Sequence, residues 1–344
     1  MPGNPVEGAW GRCGVTLSQL SSPAMSTHPR PALVISKCLE LDACRYNGQL
    51  IRAPIILTLM PFVELRAVCP EVEVGLGIPR DPIRLVSIRG ARRLVQPSTG
   101  RDVTEPMRQF AHDYLGSLGD VDGFVLTSRS PSCGIMDTKV YSGDAGDQPS
   151  DRGPGMFGAA VLERFPRAAI EDEGRLTNFR LRHHFLTKLF ANAALRMVRE
   201  SGTMRALVQF HAEQKLTLMA YHQQRMRELG RLVANREGKP FGEIVDAYAE
   251  GFAAALARPA RSTANVNVLQ HAMGYFSTRL RGSEKAHFLS VLEEYRVGRV
   301  PLSVPLAVLQ AWIVRFEEPY LAQQRFLNPY PADLTDLRDS GRGA

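Results

Sequence analysis

Residues 32–39 read ALVISKCL, a short apolar run that stops at a lysine and a cysteine. Three further runs share this character: LRAV (65–68), IRLVSI (83–88) and GFVLTS (123–128). Runs of this length, bounded by polar or turn residues, predict buried strands. The segments 55–64 and 103–118 between them are long enough for crossover helices, with Thr104 as the expected cap of the second. Alternating strands and helices indicate an α/β fold with an open parallel sheet.

Cysteines follow three of these runs. Cys38 follows the first run, Cys69 the second, and Cys133 lies a few residues beyond the fourth. In a Rossmann-like open sheet with flanking helices, the carboxyl ends of the strands meet at one edge, and sites are built there. We therefore expect the three thiols to share one site, although 31 and 64 residues separate them along the chain.

The second half of the chain has a helical pattern. Amphipathic segments are predicted at 176–200, 203–222, 241–257, 264–280 and 283–296. Trp312, Phe316 and Tyr320 are expected to pack a C-terminal helix onto this bundle. The sequence thus predicts a disordered extension over 1–30, an α/β domain over 31–170, an all-α helical domain over 176–330, and a flexible tail over 331–344.

Composition favours a protein of the reducing cytoplasm. The N-terminus has no basic segment followed by an apolar run, as a signal peptide would have, and no stretch reaches the roughly 18 apolar residues of a membrane span. The five cysteines are too few for a disulfide scaffold, so free thiols remain available to bind metal. Cys13 lies in the expected extension, and Met25 is a candidate start, so Cys13 is not expected to be a ligand.

Positive charge is concentrated in the helical half. Of the formal net charge of +7, residues 180–344 carry +8 and residues 1–179 carry −1. One interpretation is a contact with tRNA or another polyanion, to which His211, Lys215 and His222 would contribute from one helix face. The other is that the arginines form solvated helix faces and the histidines make structural contacts.

Three short motifs surround the cysteines: SKCL (36–39), CPE (69–71) and SPSCG (130–134). Glycine and proline beside a cysteine let the backbone turn sharply and leave amides free to bond sulfur. With these motifs the first 150 or so residues resemble the thiouracil desulfurase family. The run FHAEQKLTLMAYHQQRMRELG (210–230) resembles an uncharacterised helical domain that is often fused behind it. The two resemblances extend from residue 32 to about residue 330.

The first resemblance implies a [4Fe-4S] cluster bound by only three cysteines, which map onto Cys38, Cys69 and Cys133. The fourth iron is then open to the sulfur of a thiolated nucleobase such as thiouracil. Water would attack the polarised ring carbon without redox chemistry and give uracil and hydrosulfide. Glu71 is the expected general base, and the Ser130 hydroxyl, or that of Ser132, would position the water.

Several alternatives stay open at the level of sequence. Asp42, Arg45, Tyr46 and Asn47 either contact the pyrimidine or pin the first loop.

Cys44 is either a packing residue or a fourth ligand, and a fourth thiolate would close the cluster and leave an electron carrier or a structural cluster. Zinc bound by four cysteines would give a colourless protein. The alternative function is a nucleic-acid-binding protein with a structural or redox-sensing cluster. The sequence does not indicate an oligomeric state.

Overall fold

The computed structural model describes residues 28–143 and 148–335. Most of the expected N-terminal extension, with Cys13 and Met25, lies outside these residues, as does the end of the expected tail. Within them an α/β region precedes an all-helical region, which confirms the predicted fold class. The domain boundaries given above stay a prediction.

The first sheet contains four parallel strands in the order β2-β1-β6-β9. Its strands are β1 (Ala32–Ser36), β2 (Glu64–Val68), β6 (Gly123–Leu126) and β9 (Ala169–Asp172). Strands β1 and β6 are buried along their whole length, which explains why Ser36 is their one polar residue. Ser36 pairs with Val68 and Leu126 with Asp172, so neighbouring strands end level at the carboxyl edge.

A second sheet has five strands in the order β5-β4-β3-β7-β8 and is mixed. Its strands are β3 (Arg84–Ile88), β4 (Ala91–Gln96), β5 (Arg101–Asp102), β7 (Thr138–Ser142) and β8 (Pro149–Gly153). The run IRLVSI was expected to join the parallel sheet, and this prediction is wrong. Arg89 and Gly90, both with positive φ, turn the chain back so that β3 forms an antiparallel hairpin with β4.

Thirteen α-helices occur in the described residues. In the α/β region they are α1 (Pro54–Leu59), α2 (Pro70–Glu73), α3 (Thr104–Ser117) and α4 (Met156–Arg164). In the all-helical region they are α5 (Phe179–Ser201), α6 (Met204–Glu213), α7 (Lys215–Tyr221), α8 (Gln223–Val233), α9 (Phe241–Ala255), α10 (Ser262–Gly274), α11 (Gly282–Arg296), α12 (Ser303–Phe316) and α13 (Pro319–Ala322).

The long helix α5 connects the two regions. One core fills the space between the first sheet, α3, α4 and the second sheet. On the other face of the first sheet, Phe185 and Leu189 of α5 pack beside α1. Leu195 and Val198, further along α5, pack instead into a core of the helical region. Because side chains from both halves of α5 are buried, this helix holds the start of the helical region against the sheet.

Two local predictions are wrong. The cap of α3 is Val103, and the Thr104 hydroxyl instead accepts a hydrogen bond from the Leu94 amide at 2.8 Å. The helix predicted over 203–222 is divided at Gln214 into α6 and α7. The break places His211 on α6 and Lys215 on α7. His222 lies at the start of α8 and caps it, because its Nδ1 accepts from the Arg225 amide at 3.4 Å. The three residues therefore share no helix face.

The C-terminal part packs as expected. Trp312 of α12 is buried against Phe276 and Phe288. Leu334 is also buried, in the core beside α1, so the described start of the expected tail is folded. In the described part of the chain, no helix combines the length and apolar character needed to cross a membrane.

Candidate functional site

The cysteines lie at the carboxyl edge of the first sheet. Cys38 follows β1 by two residues, Cys69 directly follows β2 and begins α2, and Cys133 lies in the turn after β6. All three line one cavity of about 490 Å³. The expectation that three distant cysteines converge at this edge is confirmed, because parallel strands end there together.

Cys44 lines the same cavity. It is buried, and the neighbouring Cys69 thiol adds to the burial that raises its pKa. The Cys69 Sγ also lies 3.9 Å from the Cys44 carbonyl oxygen. The three-thiol and four-thiol ligand sets considered from the sequence therefore face the same space.

Burial controls the thiol electrostatics. It raises the pKa of Cys38 to about 11 and that of Cys44 to about 12. Burial also raises the pKa of Cys133 well above its usual value, against a lowering hydrogen bond with Ser36. Thr127 lies 3.0 Å from the Cys38 sulfur. Protons on these thiols would have to leave when metal binds, because the thiolate is the ligand.

The donor set fits an iron–sulfur cluster. Soft thiolates are the ligands of such clusters and of zinc. Among residues 28–143 and 148–335, no three His, Cys, Asp or Glu side chains are arranged to hold a single metal ion.

Glu71 is held at the cavity by Arg80. The Arg80 Nη2 and Nε atoms lie 2.7 and 2.9 Å from Glu71 Oε2, so both nitrogens donate to the same carboxylate oxygen. The Arg80 side chain is only 4% exposed and that of Glu71 13% exposed. Arg80 also donates to the carbonyls of Cys44 and Gly77 at 3.0 and 2.9 Å. One buried guanidinium thus fixes the carboxylate and two loops around the cavity.

The other carboxylate oxygen faces Ser130. The Ser130 hydroxyl accepts hydrogen bonds from the amides of Ser132 and Cys133 at 3.2 and 3.0 Å. With both acceptor positions used, its single proton is left for Glu71 Oε1, at 3.4 Å. The SPSCG turn therefore aims the Ser130 hydroxyl and the Cys133 thiol into one space.

Ser132 is placed differently. It is fully buried, does not line the cavity, and its hydroxyl has no hydrogen-bond partner among the described residues. The turn packs tightly against α4, since a Cβ on Gly158 would lie 2.2 Å from the Gly134 carbonyl oxygen. This packing explains the glycines and fixes which serine of the motif faces the cavity.

Two of the four expected substrate contacts line the cavity. Arg45 and Tyr46 do, with the Arg45 guanidinium 5.5 Å from the Tyr46 ring centre. Asp42 instead pairs with Lys37 at 3.0 Å, and Asn47 donates to the exposed Gln49 side chain. The structure thus brings Arg45 and Tyr46 to the site and leaves Asp42 and Asn47 in the outer loop.

Sequence reasoning missed two charged residues of the cavity. Arg80 ends the loop GLGIPR (75–80), in which no sequence motif indicates a charged site. Glu173 follows β9, a strand that the sequence pattern did not reveal, and accepts from the Ser128 amide and hydroxyl at 2.8 and 2.6 Å. A polar residue at the end of a parallel strand is the signal that could have found Glu173.

Two family models match separate parts of the chain. Residues 33–173 match the model of a family described as 2-thiouracil desulfurase, and residues 215–331 match a protein family of unknown function, DUF1722.

Two bacterial relatives match over nearly their whole length. Uncharacterized protein YbgA of Escherichia coli (strain K12) is 29% identical over 158 residues, which are 45% of this chain and 93% of that protein. Uncharacterized protein YbbK of Bacillus subtilis (strain 168) is 30% identical over 149 residues, 41% of this chain and 96% of that protein. A solved structure, that of the [4Fe-4S]-dependent thiouracil desulfidase TudS, is 28% identical and covers 43% of this chain and 93% of its own, with a TM-score of 0.34.

Proposed function

The chain belongs to the 2-thiouracil desulfurase family through residues 33–173, and from this premise we propose that it removes sulfur from thiouracil or a related thiolated pyrimidine by hydrolysis. One observation carries the proposal: the motif cysteines share a single cavity with the hydrogen-bonded pair Glu71 and Ser130. The cavity of about 490 Å³ lies within the range of small-molecule sites, about 300–1,000 Å³.

Cys38, Cys69 and Cys133 would hold a [4Fe-4S] cluster, with Cys44 packed beside them. When bound, such a cluster supplies a Lewis-acidic iron with an open position for the thiocarbonyl sulfur. The family motifs support these three ligands, because each of the three cysteines stands in one of them. The free thiols also suit a reducing cytoplasm, where we place the protein.

Glu71 and Ser130 would deliver the water. Glu71 would accept a proton from water as the oxygen attacks the ring carbon. The Ser130 proton, whose bond to Glu71 Oε1 is long at 3.4 Å, would turn to donate to that water and so orient it. Arg80 would keep the carboxylate aimed, because two nitrogens of a buried guanidinium hold its Oε2 atom in place. The carbon–sulfur double bond is replaced by a carbon–oxygen double bond, hydrosulfide leaves, and no electron is transferred.

Arg45 and Tyr46 would receive the pyrimidine. Tyr46 is 42% exposed, so its ring is accessible to stack on a flat base at the cavity mouth. The Arg45 guanidinium beside it can donate to the oxygen or sulfur edge of the base. Asp42 and Asn47 would then act only by shaping the loop that carries these two residues.

Sulfide release from 2-thiouracil tests the proposal. The protein is reconstituted anaerobically with iron and sulfide, and Glu71→Gln and Ser130→Ala are assayed beside it. We expect a loss of about 10²–10⁴-fold in kcat for Glu71→Gln, the range of general-base contributions. Glu73→Gln is the matched control, because Glu73 is exposed on the same short helix.

Ser132→Ala is the control for the serine, because Ser132 lies in the same turn but off the cavity. Full turnover in both Glu71→Gln and Ser130→Ala would refute the assigned roles. Thiolated tRNA, run in parallel with free thiouracil, shows whether the base is taken free or within RNA.

The charge of the helical half does not favour the nucleic-acid-binding alternative. Arginines there pair with carboxylates within the fold: Arg199 with Asp246, Arg279 with Glu318, Arg315 with Glu284, and Arg325 with Glu213. Such pairs are typical of solvated helix faces. No specific contact of the described residues adds to the net charge as a reason for RNA binding.

A further inference from the structure

A second cavity, of about 300 Å³, lies within the all-helical region. Its floor is buried and includes Thr217 of α7, Asn265 of α10 and Phe326. Its rim is exposed and includes Arg180 of α5 and Arg296 of α11. A buried floor below an open rim is typical of small-molecule sites, and the volume lies at their lower limit of about 300 Å³. The cavity therefore suits a ligand of about one ring.

The floor carries a polar group without a partner. Thr217 is 1% exposed, and its Oγ1 makes no hydrogen bond to any residue that the structure describes. Buried hydroxyls in folded proteins are nearly always bonded, to protein, water or ligand. Because Thr217 lines the cavity, a ligand atom seated there would complete its hydrogen bonding.

The walls combine aromatic rings with neutral polar groups. His184 Nδ1 lies 3.1 Å from the Tyr221 hydroxyl, and the two rings stack with their centres 5.5 Å apart. Burial lowers the pKa of His184 to about 3, so the imidazole is neutral near pH 7. Asn265 and Tyr295 also line the cavity, and Asn265 donates to the Tyr295 hydroxyl at 2.8 Å. Such walls fit a flat ring with polar atoms on its edge.

The charge around the cavity is positive. No aspartate or glutamate occurs among the described residues that line it. Arg296 pairs with Glu293, whereas Arg180 donates only to the Ala260 carbonyl and forms no ion pair with a described carboxylate. The charged neighbours that act on His184 include Lys188 and Arg180, both cationic. One rim guanidinium is therefore available for a single negative charge.

We propose that this cavity binds a small aromatic carboxylate, with the carboxylate on Arg180, the ring against Tyr221, and a polar ring atom on Thr217. A guanidinium matches a carboxylate in charge and in geometry. The site gives the helical domain a ligand-binding role. The site includes none of the cysteines, so ligand binding there can be tested independently of the desulfuration.

Calorimetric titration of the full chain with orotate tests the proposal, because orotate is a planar ring with a carboxylate. Uracil, the same ring without the carboxylate, is the comparison. We expect orotate to bind at least about tenfold more tightly than uracil, a factor that one favourable ion pair supplies. Arg180→Ala should weaken orotate binding by at least about tenfold and leave uracil binding unchanged.

Thr217→Val separates a ligand contact from a structural role. It should weaken orotate binding while the unfolding temperature of the free protein does not fall, since an unpaired buried hydroxyl is removed. Arg205→Ala, an exposed arginine of α6 without an ion pair to a described residue, is the matched control and should change nothing. Three results would each overturn the proposal. Orotate binding could survive both Arg180→Ala and Thr217→Val, it could be lost in Tyr46→Ala instead, or it could be no tighter than uracil binding.

Discussion

Replacing Arg80 with methionine should destabilise the protein through the carboxylate that it leaves behind. Arg80 is almost fully buried and pairs with Glu71 through two nitrogens. Removing one partner of a buried pair leaves an uncompensated charge, at a cost of about 3–5 kcal/mol. The lost bonds to the Cys44 and Gly77 carbonyls add about 1 kcal/mol each. We therefore expect Arg80→Met to lower the free energy of unfolding by at least about 4 kcal/mol.

The double variant Glu71→Leu/Arg80→Met identifies the cause. When both charges are absent, no buried carboxylate remains, so the double variant should be more stable than Arg80→Met alone by about 2 kcal/mol or more. Urea unfolding of the cluster-free chain, followed by circular dichroism, measures all three free energies. The matched control is Arg108→Met, whose exposed partner Glu105 makes the pair worth only about 0.5 kcal/mol. Strictly additive losses, or an Arg80→Met loss no larger than that of the control, would show that no uncompensated buried charge remains at Glu71.

Two further changes have distinct expected outcomes. Burial raises the pKa of Asp172 from 3.8 to about 6, so ionisation of this carboxyl opposes folding, and stability should fall as pH rises from about 4 to 6. Asp172→Asn should remove this fall and raise the free energy of unfolding at pH 7 by at most about 3 kcal/mol in urea titrations. An unchanged pH profile in this variant would contradict the prediction. Gly158→Ala places a Cβ 2.2 Å from the Gly134 carbonyl oxygen and should lower the free energy of unfolding by about 1–3 kcal/mol. It should also reduce the amount of bound iron, which an iron assay measures. Wild-type stability and iron content would show that the turn has room to move.

The sequence predicts the position of a site residue when that residue directly follows the carboxyl end of a recognisable strand. Each of Cys38, Cys69 and Cys133 follows an apolar run, and parallel strands have one carboxyl edge, so their convergence requires no knowledge of distant contacts. The pairing of Glu71 with Arg80 is different. The two residues are connected by a loop whose path depends on contacts with Tyr46 and Cys44, and no periodic pattern encodes that path.

The partners of strands and the breaks in helices were harder to predict. A short run such as IRLVSI indicates a strand but not which sheet it joins. Likewise, Gln214 interrupts the helix predicted over 203–222 without any glycine or proline. Gln324, far along the chain, bonds the Ala212 carbonyl and the Leu216 amide at the break, at 2.9 and 3.1 Å. A partner at such a distance leaves no local signal.

Sulfide release by the cluster-loaded chain and its cysteine variants tests whether three thiolates hold a catalytic cluster. We expect the wild-type protein and Cys44→Ala both to bind iron and to release sulfide from 2-thiouracil. Cys38→Ala, Cys69→Ala and Cys133→Ala should each lose the cluster absorbance and the activity. A Cys44→Ala protein without its cluster, or a fully loaded wild-type protein that releases no sulfide from any thiolated pyrimidine, would rule out the proposed ligand set or the proposed reaction.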